Sequence, residues 1–270
     1  MNKLLPLLAL ALCSACAGCF DNRGRPPDAT PVTSLKALAA TNRADVTRLY
    51  LRGGAEPLAK GALADLPNLR ELDLSERQLA AVPEEVFVMK SLEHLYLVRN
   101  EFKELPDALA TLPALTYLNL DGNKLTGVPE SLGGAAKLKW LRLNENQIVS
   151  LPDSLGRLGD LRRFYARRNK LKEVPAFLKS CTRLEDLSLD ANFITEVPDW
   201  LVKLPALKSV SFSGCRISKL PADLSPWRRL DSLVLSGCPI HADEMARIRK
   251  ELGDIGGTEQ VNGKGVAVVF

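Results

Sequence analysis

The sequence has few aromatic residues, few histidines and little net charge. Aromatic residues make up 6% of the 270 positions, and there are two histidines. The 36 basic and 32 acidic residues leave a formal net charge of +4 without a long run of one sign, so nothing favours nucleic-acid binding. A hydrophobic share of 46% beside a charged share of 25% is typical of a globular chain and excludes complete disorder.

Sequence motifs for a cofactor or a metal ion are also missing. No HExxH motif and no glycine-rich phosphate loop occurs, and beyond residue 19 there is no CxxC pair. We therefore expect no cofactor, no metal and no enzymatic activity.

The first twenty residues have the pattern of an export signal. One charge at Lys3 precedes the apolar run Leu4–Leu12 and then small residues, and the run is shorter than the about 20 residues that span a bilayer. Cys16-Ala-Gly-Cys19 resembles the bacterial lipobox, although a cysteine stands where leucine is usual. This implies a signal peptide over residues 1–18 and a lipid on Cys19, with Cys16 as the alternative acceptor. An ordinary signal peptide or a membrane anchor would also fit.

Residues 19–33 are rich in proline and charge and predict a flexible tether. Residues 34–45 have the spacing of a short helix and predict an N-terminal cap. No aspartate follows either candidate cysteine, which favours sorting of the exported protein to the outer membrane or the periplasmic face of the cell envelope.

A 23-residue repeat fills the chain from residue 46 onward. When the sequence is written in rows of 23 from Val46, eight full rows follow without insertion and a ninth begins at Leu230. The fourth column of these rows reads Leu49, Leu72, Leu95, Leu118, Leu141, Phe164, Leu187, Val210 and Leu233. Apolar residues in the fourth and sixth columns, with other residues between them, have the two-residue period of a strand.

The row consensus LxxLxLxxNxLxxLPxxLxxLxx resembles the leucine-rich repeat, in the LP-containing form found in Scribble, Erbin and the plant intracellular Ras-group proteins. The resemblance implies a curved α/β solenoid with a parallel sheet on its concave side. Proline in the fifteenth column suits the first position of a short helix, so we expect short helices or 3-10 turns on the convex side.

The ninth column is asparagine in most rows, and a buried amide there can bond the backbone groups freed where each strand ends. Arg77 departs from this column and puts the geometry of its row in doubt. Cys215 and Cys238 continue it; we favour two buried thiols over a disulfide between them. The solenoid is expected over residues 46–252, with a capping helix at its C-terminal end. Residues 253–270 form a tail whose final apolar segment could be a strand.

The outward columns of the predicted strands carry the candidate binding residues. Tyr96, Tyr117, Trp140 and Tyr165, which we call the aromatic stripe, are of the type that anchors interfaces, as is arginine. The full set is His94, Tyr96, Arg99, Tyr117, Asn119, Asp121, Trp140, Arg142, Asn144, Arg163, Tyr165, Arg167 and Arg168. By contrast, alanine at Ser209, Ser211 or Ser232 is expected to change neither stability nor binding.

Three functions remain open on this reasoning. The first is protein–protein interaction through the concave face, and the second is binding of an anionic envelope glycan or polymer by the arginines and aromatic rings. The third is a hydrolase using His94, which falls beside Glu71 on the predicted sheet. No candidate nucleophile accompanies this pair, so the third function has the least support.

Overall fold

The computed structural model describes residues 30–54, 57–253 and 266–270. The expected signal peptide, both candidate lipid acceptors and most of the tether lie outside this part of the chain. The described residues from Pro31 onward form one parallel sheet of ten strands that are neighbours in chain order. The strands are β1 (Arg48–Tyr50), β2 (Glu71–Asp73), β3 (His94–Tyr96), β4 (Tyr117–Asn119), β5 (Trp140–Arg142), β6 (Arg163–Tyr165), β7 (Asp186–Ser188), β8 (Ser209–Ser211), β9 (Ser232–Val234) and β10 (Ala267–Val269).

The 23-residue period sets the register of the sheet. Arg48 pairs with Glu71, and every later pair up to β9 follows the same offset, so each column of the sequence becomes a ladder across the sheet. The tail strand that the sequence could not place is β10, which pairs with β9 through Ala267 and Ser232. The predicted leucine-rich repeat solenoid is therefore confirmed.

The inward columns form the core. Leu95, Leu118 and Leu141 are fully buried, as are their counterparts in the sixth column. In β6 the large Phe164 stands beside the small Ala166, and both are completely buried. The ring of Phe164 meets that of Phe177 edge-on at 5.3 Å, so the extra volume is taken up by an aromatic contact.

The ninth column supplies a hydrogen-bond donor to the end of the preceding strand. Asn123 Nδ2 donates to the carbonyls of Leu97 and Leu120, both at 2.9 Å. Arg77 performs the same task, because its Nη1 donates to Leu51 O at 2.5 Å. A Cβ at Gly54 would collide with this guanidinium, so the glycine makes room for the longer side chain.

The two late cysteines donate to the equivalent carbonyls. Cys215 Sγ donates to Leu189 O at 3.3 Å, and Cys238 Sγ donates to Phe212 O at 3.1 Å. Both are thiols in this structure. Burial raises the pKa of Cys215 to about 11, which keeps it protonated and able to donate at neutral pH.

The convex side carries 3-10 turns, as predicted, but the five turns between Glu84 and Ser180 each begin one residue later than the sequence suggested, and the last turn begins at Ser225, beyond Pro221. Pro83 is the N-cap and not the first residue, and its carbonyl accepts from Val86 N at 3.1 Å. The acidic residue after the proline then occupies the first turn, where the helix N-terminus favours an anion. The 3-10 segments are Arg43–Asp45, Glu84–Val88, Asp107–Thr111, Glu130–Gly134, Asp153–Arg157, Ala176–Ser180 and Ser225–Arg229; helix α2 (Asp199–Val202) takes this place in one row.

The two ends of the solenoid are closed by different elements. At the N-terminal end, helix α1 (Leu35–Ala39) is capped by Ser34, whose Oγ accepts from Ala37 N at 3.0 Å. At the C-terminal end, helix α3 (Ala242–Leu252) packs on the last convex turn, and its Arg247 donates to three backbone carbonyls of residues 220–222. Within the described ranges, every helix is too short or too polar to cross a membrane.

The residue in the eighth column has a positive φ, and this left-handed backbone conformation lets the chain turn away from the sheet after each strand. The requirement for this conformation can be tested by substitution. Gly214 has a φ of +69°, and an added Cβ would have its nearest neighbour at 3.8 Å, so the space is open but the backbone is unfavourable. Gly214→Ala should therefore cost about 1 kcal/mol of unfolding free energy in urea titrations. Gly159→Ala is the control, because it has open space without a left-handed φ and should be neutral or slightly stabilising. Equal effects of the two substitutions would contradict this account.

Candidate binding surface

The aromatic residues of the concave sheet contact one another along the solenoid. The ring of Tyr117 lies 5.0 Å from that of Tyr96 and 5.5 Å from that of Trp140, and His94 meets Tyr117 edge-on at 5.9 Å. The guanidinium of Arg163 lies over Trp140 at 4.2 Å. The in-register ladder therefore brings together side chains that are 21 or 23 residues apart in sequence.

Tyr96 differs from the sequence prediction of an exposed contact residue. It is only 9% exposed, because neighbouring side chains on the same face cover it. Burial raises the pKa of its phenol, and it also raises the pKa of Tyr117. Tyr96 packs against the ring of Tyr117, whereas Tyr117, Trp140 and Tyr165 keep part of their surface in solvent.

The candidate arginines are paired with carboxylates, and of these the sequence analysis had included only Asp121. The pairs are Arg99 with Glu76 at 3.1 Å, Arg142 with Asp121 at 2.7 Å, Arg163 with Asp186 at 2.7 Å and Arg168 with Glu145 at 3.1 Å. Arg142 also lies over the ring of Tyr165 at 5.6 Å. Most of these partners are separated by one row, so comparing opposite charges down the columns would have found them. The positive charge of these arginines is therefore balanced by neighbouring carboxylates.

Three predicted contact residues serve the backbone of the sheet instead. Asn119 and Asn144 are 7% and 6% exposed, so they are buried although their columns face outward. Asn144 Oδ1 accepts from Arg167 N at 2.9 Å, and Asp121 Oδ1 accepts from Asn144 N at 2.8 Å. Asn119 Oδ1 accepts from Asp121 N at 3.0 Å. We therefore reinterpret Asp121 and Asn144 as links between rows, and Asn119 as a link within its own row.

Arg99 and Arg168 lie beyond the strands, at the rim of the concave face. Both occupy the left-handed eighth column, with φ values of 51° and 52°. Both are exposed, whereas Arg167, one position earlier, is half-buried. These rim residues can reach a partner only if it extends past the edge of the aromatic stripe.

The late serines are more involved in the structure than the sequence suggested. Ser209 and Ser232 share a hydrogen bond at 2.7 Å. Ser211 Oγ donates to Asp190, whose other oxygen accepts from Ser188 Oγ at 3.2 Å. The expectation that alanine at Ser211 would be without effect on stability is therefore not supported by these contacts.

His94 pairs in register with Glu71, as expected. The carboxylate of Glu71 is directed to Arg48, whose Nε lies 3.3 Å away, and Glu71 is only 5% exposed. Among the residues that the structure describes, no cluster of three or more His, Cys, Asp or Glu could hold a metal ion. This arrangement suits a structural ion pair beneath the aromatic residues.

Comparisons with known proteins agree with this fold. A family model described as Leucine rich repeat matches residues 67–125, and a second one of the same description matches residues 137–158. No curated protein matches the chain.

Several solved structures are similar to this chain. A leucine-rich repeat protein of Leptospira interrogans is 23% identical over 82% of the chain, with a TM-score of 0.54, and an internalin of Listeria monocytogenes is 19% identical over 88%, with a TM-score of 0.64. The ectodomain of the plant membrane receptor kinase GASSHO1/SCHENGEN3 of Arabidopsis thaliana, in complex with CASPARIAN STRIP INTEGRITY FACTOR 2, is 29% identical over 73%, with a TM-score of 0.61. The chain spans 63%, 64% and 24% of these three proteins, respectively.

The protein is thus a leucine-rich repeat solenoid by fold, with repeats that two family models also detect. Folds of this class are typical of protein–protein interaction and are generally non-enzymatic scaffolds.

The reinterpretation of Asn144 can be tested by its effect on stability. Asn144→Ala removes a buried acceptor and leaves the Arg167 amide without its partner, so we expect a loss of about 1–3 kcal/mol in chemical denaturation. Asn144→Asp keeps an acceptor oxygen and should retain most of the stability. The adjacent Glu145→Ala removes only an exposed ion pair and should cost less than about 0.5 kcal/mol. A cost at Asn144→Ala no greater than that at Glu145→Ala would rule out the structural role.

Proposed function

We propose that this protein is an exported, lipid-anchored, non-enzymatic binding protein that holds another protein on the concave face. The observation that carries the proposal is the contact series Tyr117–Trp140–Arg163, where partly exposed aromatic rings and a guanidinium are held in fixed positions. Rigid aromatic and arginine side chains lose little conformational entropy on binding and commonly anchor protein interfaces.

The local charge balance favours a protein partner over an anionic glycan or polymer. Each guanidinium of Arg99, Arg142, Arg163 and Arg168 already faces a carboxylate. A polyanion would have to compete with these carboxylates and would meet their repulsion. Stacking of sugars is also disfavoured at Trp140, because Tyr117 and Arg163 contact its ring.

Export and anchoring rest on the N-terminal sequence. Lys3 followed by the apolar run Leu4–Leu12 supports a secretory signal, and the lipobox-like residues support Cys19 as the lipid acceptor, with Cys16 as the alternative. The similar solved structures include an internalin and a receptor ectodomain, which agrees with action outside the cytoplasm.

The binding face can be tested once a partner has been recovered from envelope extract with the full chain as bait. Trp140→Ala should weaken the complex by about 2 kcal/mol or more in calorimetry, because it removes a central anchor. It should cost about 1 kcal/mol of stability, since the ring also packs against Tyr117 and Arg163. Ser236→Ala, on the same face at the far end of the sheet, is the control and should leave affinity unchanged.

The same experiment separates a protein from a polyanion. Affinity for a protein partner should change by less than about tenfold between about 50 and 200 mM salt, whereas a polyanion bound through several arginines should lose about 1000-fold or more. Equal tolerance at Trp140 and Ser236, or a polyanion-like salt dependence, would refute protein binding by this face.

The anchor is tested independently by Cys19→Ser and Cys16→Ser. We expect Cys19→Ser to abolish acyl labelling and to release the protein from the membrane fraction, while Cys16→Ser retains both. The reverse result would move the lipid to Cys16. Retention of labelling and membrane association in both variants would show that the chain is not anchored at either cysteine.

A further inference from the structure

The two edge strands of the sheet differ in their backbone hydrogen bonding. At the N-terminal edge, Val32 pairs with β1: its amide donates to Arg48 O at 3.0 Å, and its carbonyl accepts from Tyr50 N at 2.8 Å. At the C-terminal edge, β10 pairs with β9 on one side, and no described residue pairs with its other side. An unprotected edge strand is a template for pairing with another strand.

The core is also incomplete at β10. Val268 occupies the column in which the residues of β1 to β9 are at most 2% exposed, yet Val268 itself is only half-buried. Phe270, in the next inward column, is likewise half-buried, with the guanidinium of Arg249 over its ring at 5.1 Å. On the other face, Val269 is 41% exposed. Apolar surface is therefore exposed on both faces of this strand.

The backbone of β10 points a complete pair of hydrogen-bonding groups outward. Ala267 N donates to Asp231 O at 3.2 Å, and Val269 O accepts from Leu235 N at 2.7 Å, so these two residues face β9. Because successive residues of a strand direct their backbone groups to opposite sides, the N–H and C=O of Val268 face away from the sheet.

The side chains of this edge do not oppose pairing. Residues 266–270 read Val-Ala-Val-Val-Phe, without the charged residues or proline that commonly protect an edge strand. A second strand laid against it would bury no charged side chain, provided that its own side chains are apolar as well. The strand itself meets this condition.

We propose that two copies of this chain associate by antiparallel pairing of their β10 strands about a two-fold axis at Val268. In that register, the outward N–H and C=O of Val268 in each copy bond to those of the other, which is the hydrogen-bonded pair of an antiparallel ladder. Ala267 of one copy then lies opposite Val269 of the other. Phe270 lies opposite Val266, so each copy covers the open core of the other.

The proposed interface is small, and its size limits the expected affinity of the dimer. A strand of five residues buries much less than the about 800 Å² per partner of a stable complex. The dimer is therefore weak and reversible, and it forms at high local concentration. The concave aromatic residues lie on other strands and are not needed for it.

A charge-pairing experiment tests both the interface and its register. Ala267→Lys with Val269→Lys places lysine opposite lysine twice, whereas Ala267→Glu with Val269→Lys places glutamate opposite lysine twice. Both positions are exposed in the single chain, so the two variants should melt at similar temperatures. In sedimentation velocity of the full chain in density-matched detergent, the double-lysine variant should weaken dimerisation by about tenfold or more, and the glutamate–lysine variant should restore it.

A second pair of variants tests the backbone contact itself. Val268→Pro removes the outward N–H, which the pairing with β9 does not use, and should abolish the dimer. Val268→Ala shortens the side chain but keeps that N–H and should leave a measurable dimer. A wild-type chain that stays monomeric up to about 1 mM, identical association of the two charge variants, or equal association of the proline and alanine variants would each overturn the proposal.

Discussion

The structure depends on one recurring hydrogen bond, which joins the ninth column of each row after the first to a carbonyl at the end of the preceding strand. A strand of three residues must turn away from the sheet without leaving that buried carbonyl unsatisfied. Asn123 does this with an amide, Arg77 with a guanidinium and Cys215 with a thiol. The position requires a donor that reaches the carbonyl, and neighbouring residues such as Gly54 adjust to its size.

The concave face combines the proposed binding residues with residues that hold the rows together. Because the strands are in register, outward side chains lie beside those of the neighbouring rows, and many of the contacts between them are ion pairs or hydrogen bonds. What remains for a partner is a smaller region around Trp140, Tyr117 and Tyr165. A preformed surface of this kind loses less conformational entropy on binding than a mobile one, so the proposed binding does not require a deep pocket.

The sequence predicted the fold well because a strict 23-residue period fixes strands, core and register together. It predicted the exposure of the outward side chains less well, since outward columns are not equivalent. Tyr96 is covered by its neighbours, and Asn144 accepts a hydrogen bond from the next row. Both outcomes depend on how far the side chains reach, and column position alone does not predict them. The partners of Arg163 and Arg168 were visible as opposite charges one row apart. The pairing of β10 with β9 could not be predicted from the repeat, because the row that precedes β10 is longer than the others.

The row-to-row hydrogen bond also bears on how such a chain can change in length. Each row donates a hydrogen bond to a carbonyl of the row before it and offers an equivalent carbonyl to the row after it. Duplication of a whole row would therefore leave every one of these hydrogen bonds in place. Loss or gain of a single residue between strands would instead shift the columns that carry the donors. The lengthened ninth row shows where extra sequence is tolerated, because its additional residues follow the last fixed donor, Cys238. Addition or removal of whole rows is therefore the change in length that this architecture permits.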